Sequence, residues 1–121
     1  METLFEAGEQ KRLFFRIKVT WPVTLETARG LVEGKTRDIS AGGAHIRCTK
    51  HLHLNEPVHM TITVPDREPL KVAATVIWSD RKDESSRPRV IGVKFTEISA
   101  PDRQYLEQVA LEKFKAKLPA S

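Results

Sequence analysis

A single cysteine, Cys48, is the whole thiol content of this 121-residue chain, so an intrachain disulfide is excluded. No apolar run approaches the roughly 20 residues of a membrane-spanning helix. Charged residues make up 30% of the chain, so a soluble protein with no membrane partner is expected. The opening stretch, Met1 to Glu6, has no basic region followed by an apolar core, so no export signal is visible. The cytoplasm is the expected location. Aromatic residues are only 7%, and most fall on an apolar stripe. That disfavours a single-stranded nucleic-acid binder, which needs several exposed rings along a basic groove. Metal chemistry lacks a motif as well. The four histidines, His45, His51, His53 and His59, lie near Cys48 in sequence, but no C-x-x-C or H-E-x-x-H spacing occurs. His45 and His59 read as outward-facing on separate strands, and Cys48 reads as a small core residue rather than a nucleophile. No metal and no enzymatic activity are expected.

What is present suits one domain with a real core and not comfortably two. Net charge is +4, from 20 Lys plus Arg against 16 Asp plus Glu. This suits an anionic ligand but is common among unrelated domains. Residues 1–10 read as a flexible lead-in, with Gly8 and three glutamates. From Phe15 the chain alternates: Phe15, Ile17, Val19 and Trp21 point one way and Arg16, Lys18 and Thr20 the other. Pro22 interrupts, and Val23, Leu25 and Thr27 resume the period. Strands follow over Leu31 to Ile39, Ala44 to Cys48, Val58 to Val64, Leu70 to Ser79 and Arg89 to Thr96. A charged loop, Lys82 to Pro88, separates the last two. The period then changes. Ser99 caps a helix, Pro101 sits in its first turn, and Asp102 follows three residues after the cap. Leu106, Val109, Ala110 and Phe114 recur at helical spacing, and Pro119 ends it. The predicted fold is a six-stranded antiparallel β-barrel, about 15–96, plugged or flanked by a C-terminal helix, about 100–117.

Two short runs carry the chemistry. Arg12 and Arg16 bracket Leu-Phe-Phe, and Asp38-Ile-Ser40-Ala-Gly42-Gly43 follows. An arginine fork can bond guanine O6 and N7 together or grip a phosphate. Asp38 can accept from the guanine N1–H and N2–H₂ edge, and Ser40 can donate to a phosphate or base acceptor. The glycines allow backbone N–H groups close to an anion. The set matches a guanine nucleotide. Each run also has a plainer reading. Arg16 on a strand is by default a solvated charge, and Asp and Ser before Gly-Gly are ordinary turn formers that bond their own backbone. Both readings of the second run hold together if the turn shapes the loop and leaves Asp38 facing a ligand.

At these residues the chain resembles the PilZ domains, which bind the bacterial second messenger cyclic di-GMP. That family carries an R-x-x-x-R motif at the start of a small barrel and a D/N-x-S-x-x-G motif between early strands. Ile91-Gly-Val-Lys-Phe95 looks like its late G-V-x-F strand. The resemblance covers about Lys11 to Phe95, in a domain of about 11–118. It implies the same barrel and a non-enzymatic receptor. Arg12 and Arg16 would hold a guanine Hoogsteen edge and phosphates. Asp38 and Ser40 would contact the second guanine edge and nearby phosphate oxygens. Gly42 and Gly43 would permit close approach. Lys11 occupies the position that influences whether one or two ligands bind; its kept charge leans toward two. Trp78 lies at a strand end where some relatives set an aromatic against a base, although its phase with Val76 makes a core position the stronger reading. The resemblance also implies an arm, Lys11 to Arg16, that orders on ligand binding. It implies signalling through a protein partner: flagellar motor, pilus assembly, chemotaxis or exopolysaccharide machinery. A PilZ-like adaptor without ligand is the alternative within the family.

Overall fold

The computed structural model describes residues 15–80 and 89–116. Six strands follow in order: β1 (Pro22–Thr27), β2 (Gly30–Ile39), β3 (Gly43–Cys48), β4 (Pro57–Ile62), β5 (Leu70–Ser79) and β6 (Arg89–Glu97). A single helix, α1 (Ala100–Ala116), closes the described chain. All strand pairs are antiparallel, and the sheet closes as β1-β2-β3-β6-β5-β4 with β4 returning to β1. The predicted barrel with one C-terminal helix is the observed fold.

Closure follows from the alternation. Val23 and Leu25 on β1, Ala44, Ile46 and Cys48 on β3, Val58, Met60 and Ile62 on β4 and Leu70, Val72, Ala74 and Val76 on β5 all point inward and are buried. Burying such a side chain is worth about 1.5–3 kcal/mol, which holds the register against slipping by one residue. Before β1 the alternation runs on without a strand. Residues 15–21 make one bridge, Ile17 to Ile39, while Trp21 donates its N–H to Thr36 Oγ1. Ile17 and Trp21 are buried as expected, but Phe15 is exposed and stacks on Phe114 with ring centroids 5.4 Å apart.

The helix starts as its sequence signals predict. Ser99 Oγ accepts the Asp102 N–H at 3.2 Å. Asp102 also accepts from Arg67 at 3.0 Å, and the Arg67 guanidinium lies 4.9 Å from the centre of the Tyr105 ring. These contacts tie the β4–β5 connection to the first turns of α1. Leu106 and Ala110 enter the core, whereas Phe114, beyond it, stays exposed and stacks on the exposed Phe15. At another rim, Arg29 grips Glu56 through both carboxylate oxygens, at 2.9 and 3.1 Å. Glu56 Oε1 also accepts the His53 N–H at 2.9 Å. Burial pushes the Glu56 carboxyl up, but these hydrogen bonds outweigh it and hold the group below the usual range. They fasten the loop between β3 and β4 to the β1–β2 turn.

Candidate functional site

One row of residues crosses four neighbouring strands on the outer wall. Asp38 on β2 pairs with His45 on β3, His45 with Gly92 on β6, and Gly92 with Trp78 on β5. Their inward neighbours, Ile39, Ala44, Ile46, Ile91, Val93 and Val76, are all core, so the row faces out. Two irregularities tune it. The register shifts between Thr36 and Asp38, and again between Val76 and Trp78. The second shift is a correction to the stronger reading of Trp78. Its phase with Val76 predicts a core position, but the bulge turns it out, and it is 47% exposed.

Arg16 reaches this row from the segment before β1. Ile17 exchanges both backbone hydrogen bonds with Ile39 at 2.9 Å each. That pins the chain beside the end of β2 and aims Arg16 at Asp38. Arg16 donates to Asp38 Oδ1 at 2.6 Å, across 22 residues of sequence. His45 Nδ1 lies 3.0 Å from the same oxygen and 3.2 Å from the Arg16 nitrogen. Two arrangements fit: Nδ1–H donates to Asp38, or Arg16 donates to a bare Nδ1. The pairing is graded in exposure, with the Arg16 side chain 54% exposed and Asp38 16%. Partial burial pushes the Asp38 carboxyl up, but the hydrogen bonds from His45 and Arg16 more than offset it and hold the group below the usual carboxylate range.

The far half of the row is aromatic. The His45 and Trp78 rings meet edge to face, centroids 5.9 Å apart at 87°. They meet over Gly92. A Cβ there would stand 3.3 Å from His45 Cδ2 and 3.3 Å from Trp78 Cβ, so the absent side chain makes room for the pair.

The other predicted residues divide. Ser40 is buried and spends its hydroxyl on its own loop: Oγ accepts the Gly42 N–H at 3.1 Å, and the Ser40 N–H donates to the Gly43 carbonyl at 2.8 Å. Its hydroxyl builds the turn and does not open onto the outer wall, as the turn-former reading expects. Gly43 is needed by the barrel. A Cβ at Gly43 would lie 2.3 Å from the Val93 carbonyl oxygen on β6, so its smallness lets two strands approach. The Gly42 carbonyl accepts the Phe95 N–H at 2.9 Å, which docks the loop on the same strand. Lys11 and Arg12 lie outside the described residues. Two residues escaped the sequence reading as members of the site, His45 and Gly92. Counting outward from the β2–β3 turn would have paired His45 with Asp38.

A separate hollow of about 960 Å³, lined by none of the row residues, lies between the Ala41–Gly42 loop, β1, β4, β5 and β6 and the start of α1. Lys71, Lys94 and Arg103 line it with Glu26 and Glu97. Among the described residues, no group of three His, Cys, Asp or Glu side chains could hold a metal ion, and no helix is long and apolar enough to cross a membrane.

No curated protein matches the chain in sequence. Solved structures do. The inhibitor of motility MotI/DgrA of Bacillus subtilis superposes with a TM-score of 0.76 at 21% identity, over 88% of this chain and 52% of that one. The chain thus spans about half of that protein. The PilZ domain of YcgR from Escherichia coli, solved with c-di-GMP, superposes with a TM-score of 0.67 at 15% identity, over 86% and 92%. The PilZ domain of CeSA from a cellulose-synthesising bacterium is 27% identical over 82% and 97%, with a TM-score of 0.52. These likenesses share the barrel. The model of the PilZ domain matches residues 10–112, which takes in both arginines, the Asp38 to Gly43 run, all six strands and most of α1. By that match this chain belongs to the PilZ domain family.

Proposed function

We propose that this protein is a receptor for cyclic di-GMP that acts on a protein partner and catalyses no reaction. The observation that carries the reading is the Arg16–Asp38 pair on the outer wall of a PilZ barrel, joined at 2.6 Å. Guanidinium and carboxylate together match the two hydrogen-bonding edges of guanine: O6 and N7 for Arg16, N1–H and N2–H₂ for Asp38. Trp78, exposed at the other end of the row, offers a face on which a base stacks. The similar YcgR domain was solved with c-di-GMP, as was MrkH of K. pneumonia.

Ligand must draw Arg16 away from Asp38. With the Arg16 head half in solvent, its ion pair with Asp38 is worth about 1 kcal/mol or less. A hydrogen bond to a charged group returns about 1.5–3 kcal/mol, so the exchange favours the ligand. Arg12 adds a second fork, and the segment from Lys11 to Arg16 folds over the bound nucleotide. Ile17, bridged to Ile39, holds the chain beside the end of β2 where that segment ends, and the segment orders on binding. Two ligands bind per chain, with Lys11 offsetting the crowded phosphates; Lys11→Leu shifts this toward one. The covered wall then meets an effector in motility, pilus, chemotaxis or exopolysaccharide machinery. The likeness to an inhibitor of motility puts motility first. Because the messenger is intracellular, the protein works in the cytoplasm.

Calorimetric titration tests the reading with cyclic di-GMP, GTP and a short oligonucleotide in parallel. The expected result is tight binding of cyclic di-GMP alone. Binding of the oligonucleotide alone would favour a nucleic-acid surface, and binding of none would leave a ligand-free adaptor.

A further inference from the structure

Midway along the row sits His45, held between Asp38 and Trp78. We propose that His45 is a ligand-contacting residue that binds the cyclic dinucleotide as an imidazolium, so that ligand and a proton are taken up together. The inference rests on the cyclic di-GMP reading of this face.

Geometry gives the contact. Nδ1 of His45 is occupied by Asp38 and Arg16, at 3.0 and 3.2 Å. The opposite edge of the ring, Cδ2 and Nε2, faces Gly92, where a Cβ would come within 3.3 and 3.5 Å. Gly92 itself puts no side chain over that edge. His45 therefore lies between the carboxylate proposed to read a base and the indole proposed to stack on one. A base or phosphate that spans from Asp38 to Trp78 passes over Nε2.

Charge gives the proton. In the free protein Arg16 neutralises Asp38. When the ligand takes the guanidinium, Asp38 keeps a largely covered carboxylate beside a dianion, with neutral guanine N–H donors in place of a cation. The group already 3.0 Å away that can gain a charge is His45. Protonated, it donates through Nδ1 to Asp38 and through Nε2 to the ligand, two charge-assisted bonds from one ring. Imidazole is the side chain whose charge ordinarily changes between pH 5 and 8. The charged surroundings fit. From β2, Lys35, Arg37 and Asp38 are outward; from β3, Arg47; from β6, Lys94 opposite Gly43; from the preceding segment, Arg16. The β5 neighbour is uncharged Trp78. Phosphates brought by the ligand add negative charge among these groups and favour the cationic ring in the complex.

The sign follows from linkage. Ligand raises the affinity of His45 for a proton. The gain in binding is therefore complete at low pH and is lost as pH rises through the bound-state midpoint. Asp38, held below the usual carboxylate range, stays ionised from pH 6 to 8 and adds no slope there.

The test is calorimetric titration of wild type, His45→Gln and His59→Gln with cyclic di-GMP at pH 6, 7 and 8, in phosphate and in Tris. Their different ionisation heats count the protons exchanged. For wild type, affinity is expected to fall about tenfold from pH 6 to 8, with a fraction of a proton taken up at pH 7. His45→Gln should still bind, with a flat profile and no uptake. His59→Gln should behave as wild type. The His45 ring resonance should titrate at higher pH with ligand than without, a readout that needs no variant. Wild-type binding that is flat with pH, or slope retained in His45→Gln, overturns this inference and leaves the receptor standing. No binding by wild type at any pH overturns both.

Discussion

Replacing Gly43 with alanine asks whether the last glycine of the D-x-S-x-x-G run serves the ligand or the barrel. The new Cβ would stand 2.3 Å from the Val93 carbonyl oxygen, against the 3.4 Å at which ordinary contact begins. The obstacle is backbone, so no rotamer change relieves it, and β3 must part from β6 by about 1 Å. Overpacking of this kind costs about 1–3 kcal/mol. The entropy that alanine saves in the unfolded chain returns only about 0.4–1 kcal/mol, so the clash wins. The mid-range balance is about 1.3 kcal/mol, and with about 0.25 kcal/mol per kelvin of melting entropy in a domain of this size, Gly43→Ala should lower Tm by about 5 °C and by no more than about 10 °C. Gly92→Ala is the control. Its nearest atoms are His45 Cδ2, on a ring that can turn aside, and Trp78 Cβ, both at 3.3 Å, so only a few tenths of an ångström must be found and its Tm should stay within a few degrees of wild type. Thermal melts followed by circular dichroism decide. Saturating cyclic di-GMP should raise the Tm of Gly43→Ala, because a folded mutant keeps the Arg16–Asp38 pair. A mutant that melts with wild type and no longer binds would refute the packing role and return Gly43 to the ligand.

Arg16→Ala and Arg12→Ala should each weaken cyclic di-GMP binding by roughly ten- to over a hundredfold, the value of one charge-assisted contact. The Arg16 head is largely exposed, so Arg16→Ala should leave the melting curve nearly unchanged; wild-type affinity in both variants would sink the site. Asp38→Ala should narrow the affinity ratio of cyclic di-GMP to cyclic di-AMP, because a carboxylate repels phosphate but recognises the guanine N1–H and N2–H₂ edge. An unchanged ratio would mean that Asp38 reads no base. Glu56 has a depressed folded-state pKa, so the stability it contributes is present above its unfolded value and is lost as pH falls through the folded one. Urea midpoints measured from pH 6 down to pH 3 should therefore fall less steeply in Glu56→Gln than in wild type.

Much of this molecule is legible in its sequence. The alternation at Val58, Met60 and Ile62 carries through to the barrel unchanged, because burial of one face permits a single register. The Ser99 cap marks the start of α1 to the residue, because it is a local hydrogen bond. Features that depend on two elements at once are harder to read. Trp78 shares its phase with buried Val76, and only a register shift against β6 turns it outward. Phe114 sits on the apolar spacing of the helix, yet it stays exposed and its ring partner is Phe15, nearly one hundred residues earlier in the chain. Ser40 and Gly43 belong to a binding motif by pattern, while their contacts are with their own loop and with β6. The Asp38–His45 juxtaposition needed the hairpin register rather than a motif.

Because β4 returns to β1, every strand of the sheet has a neighbour on both sides. A partner therefore finds no row of free backbone N–H and C=O groups along the barrel, and recognition by adding a strand is closed to it. Contact has to be made through side chains, on the wall, the rim loops or the helix. Side chains on those surfaces can change without disturbing the strand pairing beneath them, so a closed barrel can be fitted to a different partner by altering only what projects from it.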